Sequence, residues 1–241
     1  MNKIKATYII ILFIVLSCND DNEFSAENLD NILSLSIENN DAVSNGIEEI
    51  KVIAELPIDF TTENDGMVDF VIFKRINETI SKNIELAQEN VLQKKRASIL
   101  IKHNEEDSLK VKATISVNNI LISKETYINF SKAYLNSITI TSSTLTIIPN
   151  SFNEIDITTE LIRDSGVVSL NSVVETVVKD TLGKVRGIFN NYKNKSNEEG
   201  KVLNKYTLGN DDYKGRLFVI STSLDSNNEV KSDTLTIYSQ K

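Results

Sequence analysis

Among 241 residues there is one cysteine, one histidine, no tryptophan and two prolines. A single cysteine excludes an intramolecular disulfide, so stability has to come from apolar packing. The lone histidine, His103, stands in Ile101-Lys102-His103-Asn104-Glu105-Glu106-Asp107, where an apolar run gives way to a polar turn. One imidazole supplies neither a second histidine ligand for a metal nor a triad partner close in sequence, and His103 reads as a solvated turn residue. With eight glycines in all, neither a Gly-rich phosphate loop nor a Ser-centred nucleophile elbow occurs, and Gly183-Lys184-Val185-Arg186-Gly187 reads as a hairpin turn. Neither an enzyme nor a cofactor is expected. Positive charge is scarce as well: 26 Lys and Arg face 34 Asp and Glu, a net charge of −8. Nucleic acid and anionic lipid are therefore poor partners.

Long apolar runs are confined to the start of the chain. Met1 to Cys18 reads MNKIKATYIIILFIVLSC, with Lys3 and Lys5 as a basic opening and Ala6 to Leu16 as an apolar stretch. This is signal-peptide anatomy, and the stretch is well short of the about 20 residues that cross a bilayer. The segment Val15-Leu16-Ser17-Cys18 resembles the lipobox of bacterial lipoproteins, with an aliphatic residue three before the cysteine and a small one immediately before it. The resemblance implies cleavage after residue 17 and lipidation of Cys18. Its thiol would take a diacylglycerol as a thioether, and the freed α-amine a third chain. At about 0.8 kcal/mol per buried methylene, two or three chains make a durable anchor. Residues 18–30 form an acidic tether in which Asp20, Asp21 and Glu23 resemble the export signal that sends some lipoproteins to the outer leaflet. The expected location is thus the outer membrane, on its surface face. Loss of Lys3 and Lys5 leaves 24 basic against 34 acidic residues, a mature charge of −10.

Ile, Val, Leu, Thr, Ser and Asn dominate the remainder, a mix that favours strands joined by polar turns. Apolar and polar residues alternate most clearly at Leu109, Val111, Ala113, Ile115 and Val117, a period of two that buries one face and wets the other. The same alternation marks Ile50 to Leu56, Val68 to Ile72, Ile155 to Leu161, Val173 with Val177, Leu217 to Ser221, and Leu235 with Ile237. The stretch Glu78 to Gln93 is compatible with a helical turn or two, and no long amphipathic helix is evident.

The chain also aligns on itself. Asn45-Gly46-Ile47-Glu48-Glu49-Ile50-Lys51-Val52-Ile53-Ala54-Glu55-Leu56 matches residues 150–161 without gaps, at an offset of 105 that also lays Val68 and Ile72 on Val173 and Val177. A repeat of this size is a whole domain. Strands every ten or so residues within it point to two antiparallel β-sandwiches, residues 31–134 and 135–241. No Gly/Pro/Ser linker separates them near Tyr134, which implies a stiff end-to-end junction.

Ser44 to Ala54, Val68 to Phe73, Ala97 to Lys102, Val111 to Ile115 and Tyr127 to Phe130 together are similar to bacterial Ig-like domains of the invasin/intimin type. There a polar-Gly turn leads into the second strand and a closing strand pair ends the domain. The second half departs from the pattern, with Ser151 in place of the turn glycine. The resemblance implies an all-β chain of two tandem Ig-like sandwiches that serves adhesion or spacing and meets a protein or glycan ligand. The alternative is an accessory glycan-binding or assembly subunit of an outer-membrane complex, for which Tyr192, Tyr206 and Tyr213 are the candidate sugar-stacking rings. Asp211, Asp212, Asp225, Asn227 and Glu229 offer oxygens in turns, but without an EF-hand's glycine and distal glutamate, so no metal site is assigned.

Overall fold

The computed structural model describes residues 32–58, 66–74, 77–85, 87–89, 94–117, 120–149 and 152–240. The regular structure there consists of strands, and no described residue is α-helical. The first half runs through β1 (Ser34–Glu38), β2 (Glu49–Pro57), β3 (Met67–Lys74), β4 (Asn77–Glu85), β5 (Ala87–Glu89), β6 (Lys94–Lys102), β7 (Asp107–Val117) and β8 (Ile120–Phe130). The second half continues with β9 (Ser137–Ser142), β10 (Thr146–Ile147), β11 (Ile155–Ile162), β12 (Glu175–Asp180), β13 (Ile188–Asn190), β14 (Lys201–Thr207), β15 (Gly215–Leu224) and β16 (Val230–Ser239). They form four sheets in the orders β1-β2-β6-β5, β4-β3-β7-β8, β13-β14-β11-β9 and β10-β16-β15-β12. Residues 77–85 and 87–89 are therefore strand and not helix: β4 pairs back onto β3, with Val68 opposite Ile84 and Ile72 opposite Ile80, and β5 pairs with β6, and these ladders override local helix propensity.

The chain packs as two compact units: the described residues of Met1–Ser36, Val52–Ile99 and Lys110–Thr126, and those of Ile37–Lys51, Leu100–Leu109 and Tyr127–Lys241. In the first unit Val52, Ala54 and Leu56 of β2, Val68, Phe70 and Ile72 of β3, and Val111, Ala113 and Ile115 of β7 are all buried. Glu55 lies on the opposite face of β2, where Lys94 and Arg96 both pair with it. The hydrogen bond from Lys94 is the main reason its carboxyl titrates below the ordinary range, against the opposing effect of burial.

In the second unit Ile155, Ile157 and Leu161 of β11, Val202 and Tyr206 of β14, and Leu217 and Val219 of β15 belong to one apolar cluster. Three buried hydroxyls cross that core: Ser221 Oγ lies 2.7 Å from Thr159 Oγ1 and 2.9 Å from Thr176 Oγ1. The repeat aligns Ala54 with Thr159, and the matched pair Leu109 and Leu217 aligns Ala113 with Ser221, so small side chains recur at this depth in both halves. One register differs from the sequence reading. β12 turns Val174 and Val178 inward and leaves Val173 exposed, because Val178 pairs with Val219 and Thr176 with Ser221. A one-residue shift between β11 and β12 moves the repeat to an offset of 106 there.

Both halves close the same way. Ser131 N donates to Ala42 O at 3.2 Å, and Gln240 N donates to Ile147 O at 3.0 Å. Each belongs to a parallel contact, Val43 with Ser131 and β10 with β16.

The second unit also contains a buried serine relay. Ala133 N donates to Ser169 Oγ at 2.7 Å, Ser169 Oγ lies 2.6 Å from Ser44 Oγ, and Ser44 Oγ donates to Ser131 O at 2.8 Å. Because the Ser44 proton goes to Ser131 O, the proton between the two hydroxyls comes from Ser169. Val167 N donates to Asn45 O and Leu170 N to Asn104 O, so the 166–171 loop is stitched to segments more than 60 residues earlier. Gly166, at φ +72°, permits this: a Cβ there would stand 2.5 Å from Asn45 O.

Two outcomes are expected in denaturant melts. Val52→Ala and Ile157→Ala, both at buried positions, should each cost about 2–4 kcal/mol, and Asp156→Ala no more than about 0.5. Ser44→Ala and Ser169→Ala should each cost about 1–3 kcal/mol, with a coupling of about 0.5 kcal/mol or more in the double mutant. Strict additivity would mean that the hydroxyls do not act as one relay.

Candidate functional site

The three tyrosines singled out in the sequence have three different surroundings. Tyr206 is 0 % exposed, packs against Phe189 with centroids 5.3 Å apart, and donates to Arg186 O at 3.0 Å. Burial pushes its phenol above the ordinary range, and no face of its ring is left for a sugar. Tyr213 carries the Arg186 guanidinium 4.6 Å over its ring and donates its hydroxyl to Arg216 O. Tyr192 remains 45 % exposed.

Tyr192 owes its position to an edge that must be covered. β12 is the last strand of its sheet, and bare edge amides invite pairing with another chain. The segment that crosses from β12 to β14 satisfies that edge group by group. Asp180 N donates to Lys184 O, Arg186 N to Val178 O and Val174 N to Asn194 O, while Thr176 N donates to the Tyr192 hydroxyl at 2.9 Å. That hydroxyl also reaches Val174 O at 3.5 Å, so the ring is fixed where a neighbouring strand would lie. At the far side Ile140 N donates to Asp233 Oδ2, which places a carboxylate where β9 would otherwise present a bare amide.

The crossing begins at a charged corner. Asp180, 2 % exposed, accepts from Leu182 N and Lys184 N and pairs with Arg186 Nε at 2.9 Å. Arg186 then pairs with Asp211, which also accepts from Tyr213 N. The sequence places a hairpin turn at 183–187; the chain reverses slightly earlier, at 180–184, where Gly183 N donates to Asp180 O and Lys179 is bridged to Val185, so Val185 and Arg186 lie on the returning arm. Gly187, at φ +63°, is required there, since a Cβ would meet Thr207 O at 2.3 Å. Asp225 is likewise committed, accepting from Asn227 N and Glu229 N and pairing with Lys231 at 2.9 Å.

Tyr192 lines one of two adjoining cavities. One of about 460 Å³ is open and bounded by Tyr192, Phe189, Asn194, Glu175 and Thr222. The other, about 370 Å³ and more enclosed, is bounded by Tyr134, Lys132, Leu135, Leu224, Glu175 and Thr222. Glu175 and Thr222 are common to both, so the two make one groove with a tyrosine near either end. The Lys132 ammonium stands 4.9 Å over the Tyr134 ring. Neither Tyr134 nor Glu175 stands out in the sequence as a site residue, since some forty positions separate them and no motif joins them.

His103 is half-buried and not solvated as read from the sequence; its ring tilts against Phe130 at 5.7 Å, and its carbonyl accepts from Gly46 N. Ligand-type atoms of His103, Glu105 and Asp107 lie within 4.8 Å of one another. Only the two carboxylates among them offer the oxygen ligands that calcium takes, six to eight in number, so no calcium site is assigned. Cys18, Asp20, Asp21 and Glu23 lie outside the described residues.

No protein-family model matches the chain, and no curated protein matches it in sequence. Solved structures do. Invasin, described as a bacterial integrin-binding protein, aligns at TM-score 0.55 and 15 % identity over 86 % of this chain and 38 % of that one. The Yersinia pseudotuberculosis adhesin InvE aligns at TM-score 0.48 and 11 % identity over 85 % of this chain and 58 % of that one. The chain thus spans less than two thirds of either. The fold is the Ig-like β-sandwich of the invasin type. In Ig-like terms β9, β11, β14 and β13 are strands A, B, E and D, and β12, β15 and β16 are C, F and G. Thr159 and Ser221 face each other from B and F, where antibody domains place their inter-sheet disulfide.

The charged corner makes stability pH-dependent. Burial raises the Asp180 pKa, but the bonds from Arg186 and the Lys184 and Leu182 amides outweigh it and hold the carboxyl below 3.8. Asp225 is lowered too, chiefly by its hydrogen bond from Lys231. A carboxyl lowered in the native state stabilises fully above its unfolded pKa and loses that contribution as pH falls through the native one. Melting temperature should therefore drop as pH falls from about 4, and Asp180→Asn should flatten that acid limb. An unchanged acid limb in thermal melts of the variant would refute the assignment.

Proposed function

We propose that this chain is a lipid-anchored, non-catalytic cell-envelope protein that acts as an adhesion or spacer module through its two Ig-like sandwiches. The observation that carries the reading is the pairing of a lipobox-like Val15-Leu16-Ser17-Cys18 with tandem sandwiches whose fold is shared with invasin. Invasin is described as integrin-binding, which supports a protein ligand for the adhesion reading. Because sandwiches host many functions, fold alone does not identify that ligand. The acidic Asp20, Asp21 and Glu23 support display on the outer face of the membrane, and the acidic charge argues against a nucleic-acid partner. The accessory glycan-binding reading is favoured by one observation, the exposed half of Tyr192 in a cavity.

Cys18→Ala should abolish palmitate labelling and release the protein from membranes, because acylation supplies the strong membrane affinity of the chain. Retention of the variant in the membrane fraction after a carbonate wash would overturn the anchor. Protease shaving of intact cells, with Asp20, Asp21 and Glu23 changed to their amides, tests the surface face: accessibility should fall in the variant.

A further inference from the structure

We propose that the groove between Tyr134 and Tyr192 is a binding site for a neutral oligosaccharide. The inference rests on the glycan-binding reading and is independent of how the chain is anchored.

The groove's chemistry points to that ligand. Tyr192 offers an exposed ring whose orientation is fixed by Thr176 N and Val174 O, so little side-chain entropy remains to be lost on binding. A pyranose presents a C–H face that suits such a ring and a rim of hydroxyls that needs polar partners. Those partners stand next to the ring: the Glu175 carboxylate and Thr222 hydroxyl where the two cavities meet, and the Asn194 amide on the open side. The enclosed side adds Tyr134 and apolar Leu135, Val173, Leu224 and Val230, with the Ser172 and Ser223 hydroxyls already bonded to backbone carbonyls, an arrangement of apolar wall and placed polar groups that small-ligand sites commonly have.

Charge narrows the class. Glu175 and Lys132 are the ionisable acid and base of the groove, one of each sign, and the Lys132 ammonium already lies over an aromatic ring. A ligand without net charge is the complement, and the acidic chain as a whole disfavours polyanions. An extended peptide is the competing occupant. Strand addition, the common route by which peptides bind sheets, is closed here, because the 184–195 crossing already occupies the β12 edge.

The test uses the unlipidated Cys18→Ala chain, titrated with neutral tetrasaccharides of glucose, mannose and N-acetylglucosamine and read by saturation-transfer NMR. Saturable binding of at least one is expected. Tyr192→Ala should weaken it by about tenfold or more, Tyr134→Ala and Glu175→Gln by smaller factors, whereas Tyr192→Phe, which keeps the ring, should retain most of it. Melting curves of each variant separate loss of the site from loss of the fold. Absence of saturable binding, binding indifferent to Tyr192→Ala in a folded variant, or displacement of the sugars by an apolar peptide that itself depends on Tyr192 would each overturn the proposal. A chain that binds sugar although Cys18→Ala stays membrane-bound in cells would uphold the groove and refute the anchor.

Discussion

Everything in this protein depends on apolar faces meeting between sheets with no covalent bond to hold them. The chain has one cysteine, so each sandwich relies on strands that turn every second side chain inward. Val52, Phe70, Val111, Ile157, Val219 and Ile237 are buried essentially completely because the pleat leaves them no other direction. At the depth where a cross-link stands in antibody domains, the second half has hydroxyls and the first half alanines. Small side chains let the sheets approach there, and each of the Thr159, Ser221 and Thr176 hydroxyls has a hydrogen-bond partner among the three.

The second constraint is the sheet edge. Ladders end at β12 and at β9, and the exposed backbone of both is managed by nearby side chains and by the crossing chain. The cover over β12 has a consequence for function. A tyrosine recruited to satisfy an amide ends with its ring held rigidly and half exposed beside Glu175 and Thr222, which is how an element needed for solubility supplies a preorganised surface. The charged corner of Asp180, Arg186 and Asp211 fixes where that crossing begins.

The serine relay is a third case of the same rule, that buried polar groups are paired. The 166–171 loop carries backbone and hydroxyl groups away from water, and segments near 44, 104 and 131 receive them. All of these hydrogen bonds lie within the second compact unit, where they tie segments distant in sequence into one network.

Much of this was legible in the sequence. Period two located β2, β3, β7, β11 and β15 and told their inward rows, because alternation is a property of one strand by itself. The repeat pointed to two sandwiches, and Gly183 marked a reversal of the chain, though the turn itself lies at 180–184 and not at 183–187. Tertiary structure decided the rest. Residues 77–85 became strand because β3 was there to pair with them, and β12 took the opposite register to Val173 and Val177 because β15 set it. Tyr206 went inside and Tyr192 stayed partly outside although both sit in similar polar surroundings along the chain, since only the β13 to β14 ladder separates core from edge. The groove was not legible at all: Tyr134, Glu175, Tyr192 and Thr222 come from four segments, and local spacing carries no record of which segments a fold brings side by side.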